Sequence, residues 1–131
     1  MKTLITEDDF TSRLLLQEFL RSYGPSHIAV TGKEAVEAVR VALDAAHPYD
    51  LICMDIMMPE MDGHAALKEI RALEEARGID STAGAKIVMT TALDDMKSVS
   101  EAYFNLCDSY ITKPIQKAKL LEELRKMALI Q

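Results

Sequence analysis

The sequence predicts an α/β fold: a doubly wound, five-stranded parallel sheet in the order 2-1-3-4-5, with helices on both faces. Three observations predict it. Five short β-type runs alternate with five helical patterns along the chain. The third run, Leu51-Ile52-Cys53-Met54, is apolar throughout, as a central strand covered on both faces must be. No internal repeat or low-complexity stretch breaks the alternation, and 131 residues make one domain, spanning 1–131. Right-handed crossovers leave few strand orders, and 2-1-3-4-5 is the natural one for five β–α units.

Each element has a local cause. Leu4-Ile5-Thr6 is a short β-rich run that ends in acids. From about Thr11, Leu15, Leu16, Phe19, Leu20 and Tyr23 fall at helical spacing, and Gly24-Pro25 stops the helix. His27-Ile28-Ala29-Val30 reads as the second strand. Thr31 with Glu34 forms a capping box ahead of a helix carrying Ala35, Val36, Val39, Ala42 and Leu43. His47-Pro48 closes it, and the apolar third strand follows. Asp55 to Met61 is a loop containing Pro59. Asp62 caps a helix with Leu67, Ile70 and Leu73 that stops near Gly78. Residues 78–85 form a longer connection to the fourth strand, Ile87-Val88-Met89. Asp94 caps a helix with Met96, Val99 and Tyr103. Ser109-Tyr110-Ile111-Thr112 is the fifth strand, and Lys113-Pro114 leads to a last helix with Leu120, Leu121, Leu124 and Met127.

Composition excludes several function classes. Hydrophobic residues make up 49% and charged residues 27%, which is the balance of a soluble globular chain. The net charge of −6 lacks the basic face of a nucleic-acid binder or a polybasic membrane anchor. No apolar run reaches the length of a membrane span, and Met1–Thr6 is too short for a signal peptide. A cytoplasmic location is therefore expected. Cys53 and Cys107 are too few for a disulfide framework and lack metal-ligand spacing. His27, His47 and His64 form no paired metal motif.

In an open α/β sheet, ligands bind beyond the carboxyl ends of the strands. The first strand ends in Glu7-Asp8-Asp9, the third in Asp55, the fourth in Thr90-Thr91-Ala92 and the fifth in Thr112-Lys113-Pro114. In the predicted order these four strands are neighbours. Clustered carboxylates repel unless a cation sits among them, and Mg²⁺ takes oxygen ligands while leaving room for a phosphate oxygen. A lysine and a hydroxyl across from it suit the remaining phosphate oxygens. A carboxylate can also be the nucleophile, forming an acyl phosphate. Asp55 is the best candidate, because it ends the most buried strand at the centre of the cluster. Thr31-Gly32-Lys33 is not a P-loop, since His27 and Glu34 occupy positions that need Gly and Ser or Thr. Three acids after the first strand would also repel a flavin phosphate.

These residues carry a family resemblance. The chain resembles the receiver domains of two-component response regulators, the CheY-like group of the flavodoxin-like (βα)5 folds, from Lys2 to about Leu129. The segment Asp55-Ile56-Met57-Met58-Pro59-Glu60-Met61-Asp62-Gly63 resembles the loop after the phosphoacceptor aspartate. Leu4–Asp9 with Arg13, Met89–Ala92 and Ser109–Pro114 resemble the acidic, switch-hydroxyl and switch-aromatic/lysine segments. The resemblance implies that Asp55 is phosphorylated. It implies that Asp8 is the direct Mg²⁺ ligand beside Asp55, that Glu7 acts mostly through water, and that the Met57 carbonyl completes the metal site. Thr91, with Ala92 after it, would bind the phosphoryl group, Lys113 would pair with it, and Tyr110 would be the aromatic switch. Lys113-Pro114 would be a cis peptide. An Asp8–Asp9 register is the alternative alignment; Glu7–Asp8 places Arg13 at the family's arginine position.

The implied function is a stand-alone response regulator that switches a partner-binding face made by the Asp94 helix, the fifth strand and the last helix. Its implied partners are a histidine kinase or phosphotransfer protein and a downstream protein, with no nucleic acid and no membrane. It would act as a monomer or a phosphorylation-dependent dimer, and not as a multiple-turnover enzyme. The alternatives are a small aspartyl-nucleophile phosphohydrolase, or a receiver fragment of a longer response regulator or hybrid kinase. Met57 and Leu93, both apolar, would flank the approach of water to an acyl phosphate, which predicts a long-lived phosphorylated form.

Overall fold

A computed structural model describes residues 1–80, 82–92 and 106–131. The strands are β1 (Thr3–Thr6), β2 (Ser26–Ala29), β3 (Leu51–Asp55), β4 (Lys86–Ala92) and β5 (Ser109–Lys113). The helices are α1 (Phe10–Leu20), α2 (Gly32–Asp44), α3 (Gly63–Ala76) and α4 (Lys117–Lys126), and a short 3-10 turn, Arg21–Tyr23, follows α1. All strand pairs are parallel, and the sheet order is β2-β1-β3-β4-β5 as predicted. The helix expected from Asp94 to Tyr103 lies outside the described residues.

Strand alternation divides the core in two. On one face Leu4, Ile52, Met54, Ile87 and Met89 meet Ala35 and Val39 of α2 and Leu67 and Ile70 of α3. On the other, Ile5, Cys53, Val88 and Ile111 meet Leu16 and Leu20 of α1 and Leu120 and Leu124 of α4. Every residue of β3 is buried, which accounts for its uninterrupted apolar run. Full burial of one such Leu or Ile contributes about 1.5–3 kcal/mol.

Helix starts follow their caps. Thr31 Oγ1 accepts the Glu34 N–H at 3.1 Å, and Asp62 Oδ1 accepts the Ala65 N–H at 2.8 Å. The capping box is only half made, because Glu34 Oε1 accepts from Val30 N rather than from the cap residue itself. Helix α1 begins at Phe10, one residue earlier than predicted, because Asp9 caps it: its Oδ2 accepts the Ser12 N–H at 2.9 Å. The expected apolar stripe of α1 is also narrower than its spacing suggests. Leu16 and Leu20 are buried, whereas Phe10, Leu14 and Leu15 are exposed.

One end of the sheet is held by a clamp that hydropathy patterns do not reveal. Arg71 of α3 donates to Glu74 Oε1 (2.7 Å), Asp108 Oδ2 (3.2 Å) and the carbonyl oxygens of Ala85 and Leu106 (both 2.8 Å). Glu74 Oε2 accepts the Ala85 N–H, and Asp108 Oδ2 accepts the Ile87 N–H. The starts of β4 and β5 are thereby fastened to α3.

Candidate functional site

The strand order builds the site. The chain leaves β1 into α1 on one face and leaves β3 into α3 on the other, so a crevice opens at the carboxyl ends of β1 and β3. Glu7 follows β1 directly and its N–H donates to the Ala29 carbonyl, which holds it in line with the strand. Asp55 ends β3. Lys113 ends β5. The three side chains meet: Lys113 Nζ lies 2.9 Å from Glu7 Oε2 and 3.3 Å from Asp55 Oδ2. Glu7 is 0% exposed and Asp55 5% exposed. Asp8 is exposed beside them, and carboxylate oxygens of Glu7, Asp8 and Asp55 lie within 4.8 Å of one another.

Each acid has a different environment. Glu7 spends both oxygens inward, since Oε1 accepts the Asp9 N–H at 3.1 Å while Oε2 faces Lys113. Arg13 Nη1 donates to the Glu7 carbonyl at 3.2 Å, which braces this turn from α1. Burial pushes the Asp55 carboxyl up to about 7, the Glu7 charge adds to that rise, and Lys113 opposes it. Burial pulls the Lys113 ammonium down, but its hydrogen bond to Glu7 and the two carboxylate charges leave it raised. Asp9 stands apart from the cluster as the cap of α1, and this cap holds its carboxyl below the usual range.

The loop after Asp55 is shaped by close backbone approach. Ile56 N donates to the Thr90 carbonyl, and Gly63 N donates to the Ile56 carbonyl at 2.7 Å. A Cβ on Gly63 would collide with the Asp55 carbonyl oxygen, so only glycine fits there. Glu60 takes the left-handed conformation at φ 67°, which reverses the chain toward Asp62. Met57, 62% exposed, stands on this loop.

The remaining predicted residues are placed as follows. Thr91 is fully buried at the end of β4, and its Oγ1 donates to the Ala92 carbonyl at 3.2 Å. Ala92 is exposed as the last residue of the strand. Tyr110, in register with Met89, packs against the α2/α3 side of the core, where burial raises its hydroxyl, with Cys107 contributing. The Lys113-Pro114 peptide is cis. Leu93 lies outside the described residues. Hydropathy and strand-end position located Asp55, Lys113 and Thr91; they did not reveal the capping role of Asp9 or the steric demand at Gly63, which depend on contacts across the fold.

Residues 3–125 match the model of the response regulator receiver domain. The chain belongs to the response-regulator receiver family. The receiver is 33% identical over 127 residues to the chemotaxis protein CheY of Bacillus subtilis, covering 95% of each protein. Among solved structures it superposes on the receiver domain of Ssk1 from Saccharomyces cerevisiae, crystallised with the histidine phosphotransfer protein Ypd1. That match has a TM-score of 0.79 and 29% identity, and covers 97% of this chain and 88% of the other. It also matches the receiver domain of the sensor histidine kinase PA1611 of Pseudomonas aeruginosa, with a TM-score of 0.74, 26% identity and 97% coverage of both chains. That structure holds a magnesium ion in its active-site cleft. No described helix of this receiver is long and apolar enough to cross a membrane.

The donor set here suits the same kind of ion. Glu7, Asp8 and Asp55 offer carboxylate oxygens alone, and hard divalent cations prefer oxygen. Two buried carboxylates against one ammonium leave the crevice negative, which favours a cation at its mouth.

Proposed function

We propose that this receiver accepts a phosphoryl group on Asp55 from a phosphohistidine of a histidine kinase or phosphotransfer protein. The observation that carries this reading is the meeting of Asp55 with Glu7, Asp8 and the Lys113 ammonium at one strand edge. An Asp55 carboxylate oxygen forms a bond to phosphorus while the donor's nitrogen–phosphorus bond breaks, and the electron pair leaves with the imidazole. Lys113 neutralises charge on the transferred group. Asp8, Asp55 and the Met57 carbonyl would hold Mg²⁺, and Glu7, whose Oε1 accepts the Asp9 N–H and whose Oε2 faces Lys113, would act through water. The ion held there would supply positive charge to the phosphoryl oxygens.

The test is phosphorylation by acetyl phosphate with Mg²⁺, followed by borohydride reduction of the acyl phosphate and peptide mapping. One modified residue at Asp55 is expected. A label at another residue, or multiple turnover on a phosphomonoester, would replace this reading with another acceptor or with a phosphohydrolase.

Two further results are expected. Asp8→Ala should weaken Mg²⁺ binding about 10- to 100-fold in isothermal titration, because Asp8 offers a solvent-facing carboxylate. Asp9→Ala should change it far less and instead cost about 1 kcal/mol of stability through the lost cap. The opposite ranking would mean that the acidic register is shifted by one residue. Thr91 and Tyr110 form the switch: the hydroxyl turns from the Ala92 carbonyl to the phosphoryl group and opens space for the ring. Thr91→Ala should still be phosphorylated but lose most of its phosphorylation-dependent gain in affinity for the output protein. An equal gain in mutant and wild type would sink the switch.

A further inference from the structure

One buried polar group beside the acceptor has no role in the chemistry above. Thr90 is 1% exposed, and its Oγ1 has no hydrogen-bond partner among the described residues. Such a hydroxyl is costly to bury, so its presence asks for a use.

Register places it. Thr90 of β4 pairs with Asp55 of β3, and two residues earlier Val88 pairs with Cys53. Val88 and Cys53 both enter the core on the α1/α4 side. Side chains two apart on a strand share a face, so Thr90 and Asp55 leave the sheet on that same side. Neighbouring strands are about 4.8 Å apart, within reach of a short hydroxyl and a carboxylate. Lys113, two residues beyond Ile111, lies on the same face, and Ile111 is the β5 partner of Thr90. Thr91, the next residue, points to the opposite face.

The local inventory of donors and acceptors says what Thr90 can do. Glu7 and Asp55 bring four carboxylate oxygens. The side chain donating to them is Lys113, shared between the two acids, and Asp55 is at the longer distance. Rotation of Thr90 about its Cα–Cβ bond turns the hydroxyl without moving the strand.

We infer that Thr90 is a positioning residue for phosphoryl acceptance. Turned by rotation about Cα–Cβ, its hydroxyl would donate to one oxygen of Asp55, lock the carboxyl rotamer, and leave the other oxygen directed at the donor phosphorus. The inference rests on Asp55 being the acceptor. With acetyl phosphate, the Asp55 oxygen–phosphorus bond forms as the donor's phosphorus–oxygen bond breaks, and acetate departs with the electron pair. Thr90 exchanges no proton in this step; it holds the nucleophile in line.

The test compares Thr90→Val, which keeps shape and burial but removes the hydroxyl, with Thr90→Ser, which keeps the hydroxyl. Initial rates of phosphorylation by acetyl phosphate with Mg²⁺ are read by intact mass, alongside urea unfolding of each variant. The valine variant should be at least as stable as wild type yet phosphorylated about tenfold more slowly, as expected for loss of a hydrogen bond to a charged group. The serine variant should recover most of the rate despite its lost methyl group. Wild-type rates in the valine variant, or equal slowing in both variants, would overturn the inference. Should the valine variant not fold, serine against alanine decides: equal rates overturn it and a faster serine variant supports it. Wild type is the separate control, since failure of Asp55 to gain a phosphoryl group there would reject the acceptor assignment instead.

Discussion

Asp55→Asn should take up no phosphoryl group from acetyl phosphate or a phosphohistidine donor, and in Mg²⁺-free buffer it should be more stable than wild type. The first result follows because the amide oxygen is a poor nucleophile, while the neighbouring carboxylates Glu7 and Asp8 project from the end of β1 and not from the acceptor position that ends β3. The second follows from burial. The folded state raises the Asp55 carboxyl from 3.8 to about 7, first through loss of water and then through the Glu7 charge. A carboxyl raised by folding holds its proton more tightly in the native state than in the unfolded one. The contribution of Asp55 to wild-type stability is therefore largest below about pH 4 and is lost as pH rises to about 7, where the native group ionises. Above that the penalty is constant, on the order of 2–4 kcal/mol for a shift of this size. Asn carries no charge and leaves the Lys113–Glu7 pair in place. Urea unfolding at pH 8 with a chelator should show the variant ahead, and the gap should close toward pH 4. A gap of equal size at both pH values would mean that it arises from packing and not from the buried charge.

Arg71→Met should produce the largest loss of stability, about 3–5 kcal/mol, in a domain whose total is about 5–15 kcal/mol. The guanidinium is 11% exposed at its side chain and serves two carboxylates and two backbone carbonyls at once. Methionine fills much of the volume but supplies none of these donors. Glu74, buried in α3, would keep only the Ala85 N–H, and the carbonyls of Ala85 and Leu106 would lose the guanidinium. Removing one partner of a buried ion pair costs more than the pair is worth, because the remaining charge has no water to return to. Arg71→Met combined with Glu74→Gln should therefore lose much less than the sum of the two single changes. A loss under about 1 kcal/mol for Arg71→Met would show that solvent reaches the clamp. The clamp lies far along the strands from Asp55, so phosphorylation per folded molecule should change little.

The sequence alone determined the fold class, the five strands and the strand order, and it placed Asp55, Thr91 and Lys113 on one edge. Those features are local: hydropathy repeats every two or about 3.6 residues, caps lie within three residues of the helices they start, and parallel strands send all their carboxyl ends to one side. The tertiary structure alone decided the rest. Glu7, Asp8 and Asp9 are alike in composition, but only the junction of β1 with α1 turned Asp9 into a cap and left Glu7 buried against Lys113. Leu15 has the spacing of a core residue, but the packing angle of α1 leaves it exposed. Arg71 looks like any helix-surface arginine until α3 meets the starts of β4 and β5. Thr90 acquires its neighbour only through the β3–β4 register. For the polar groups the deciding energy is that of a charge or hydroxyl withdrawn from water, and which groups share that burial is set by residues distant in the chain.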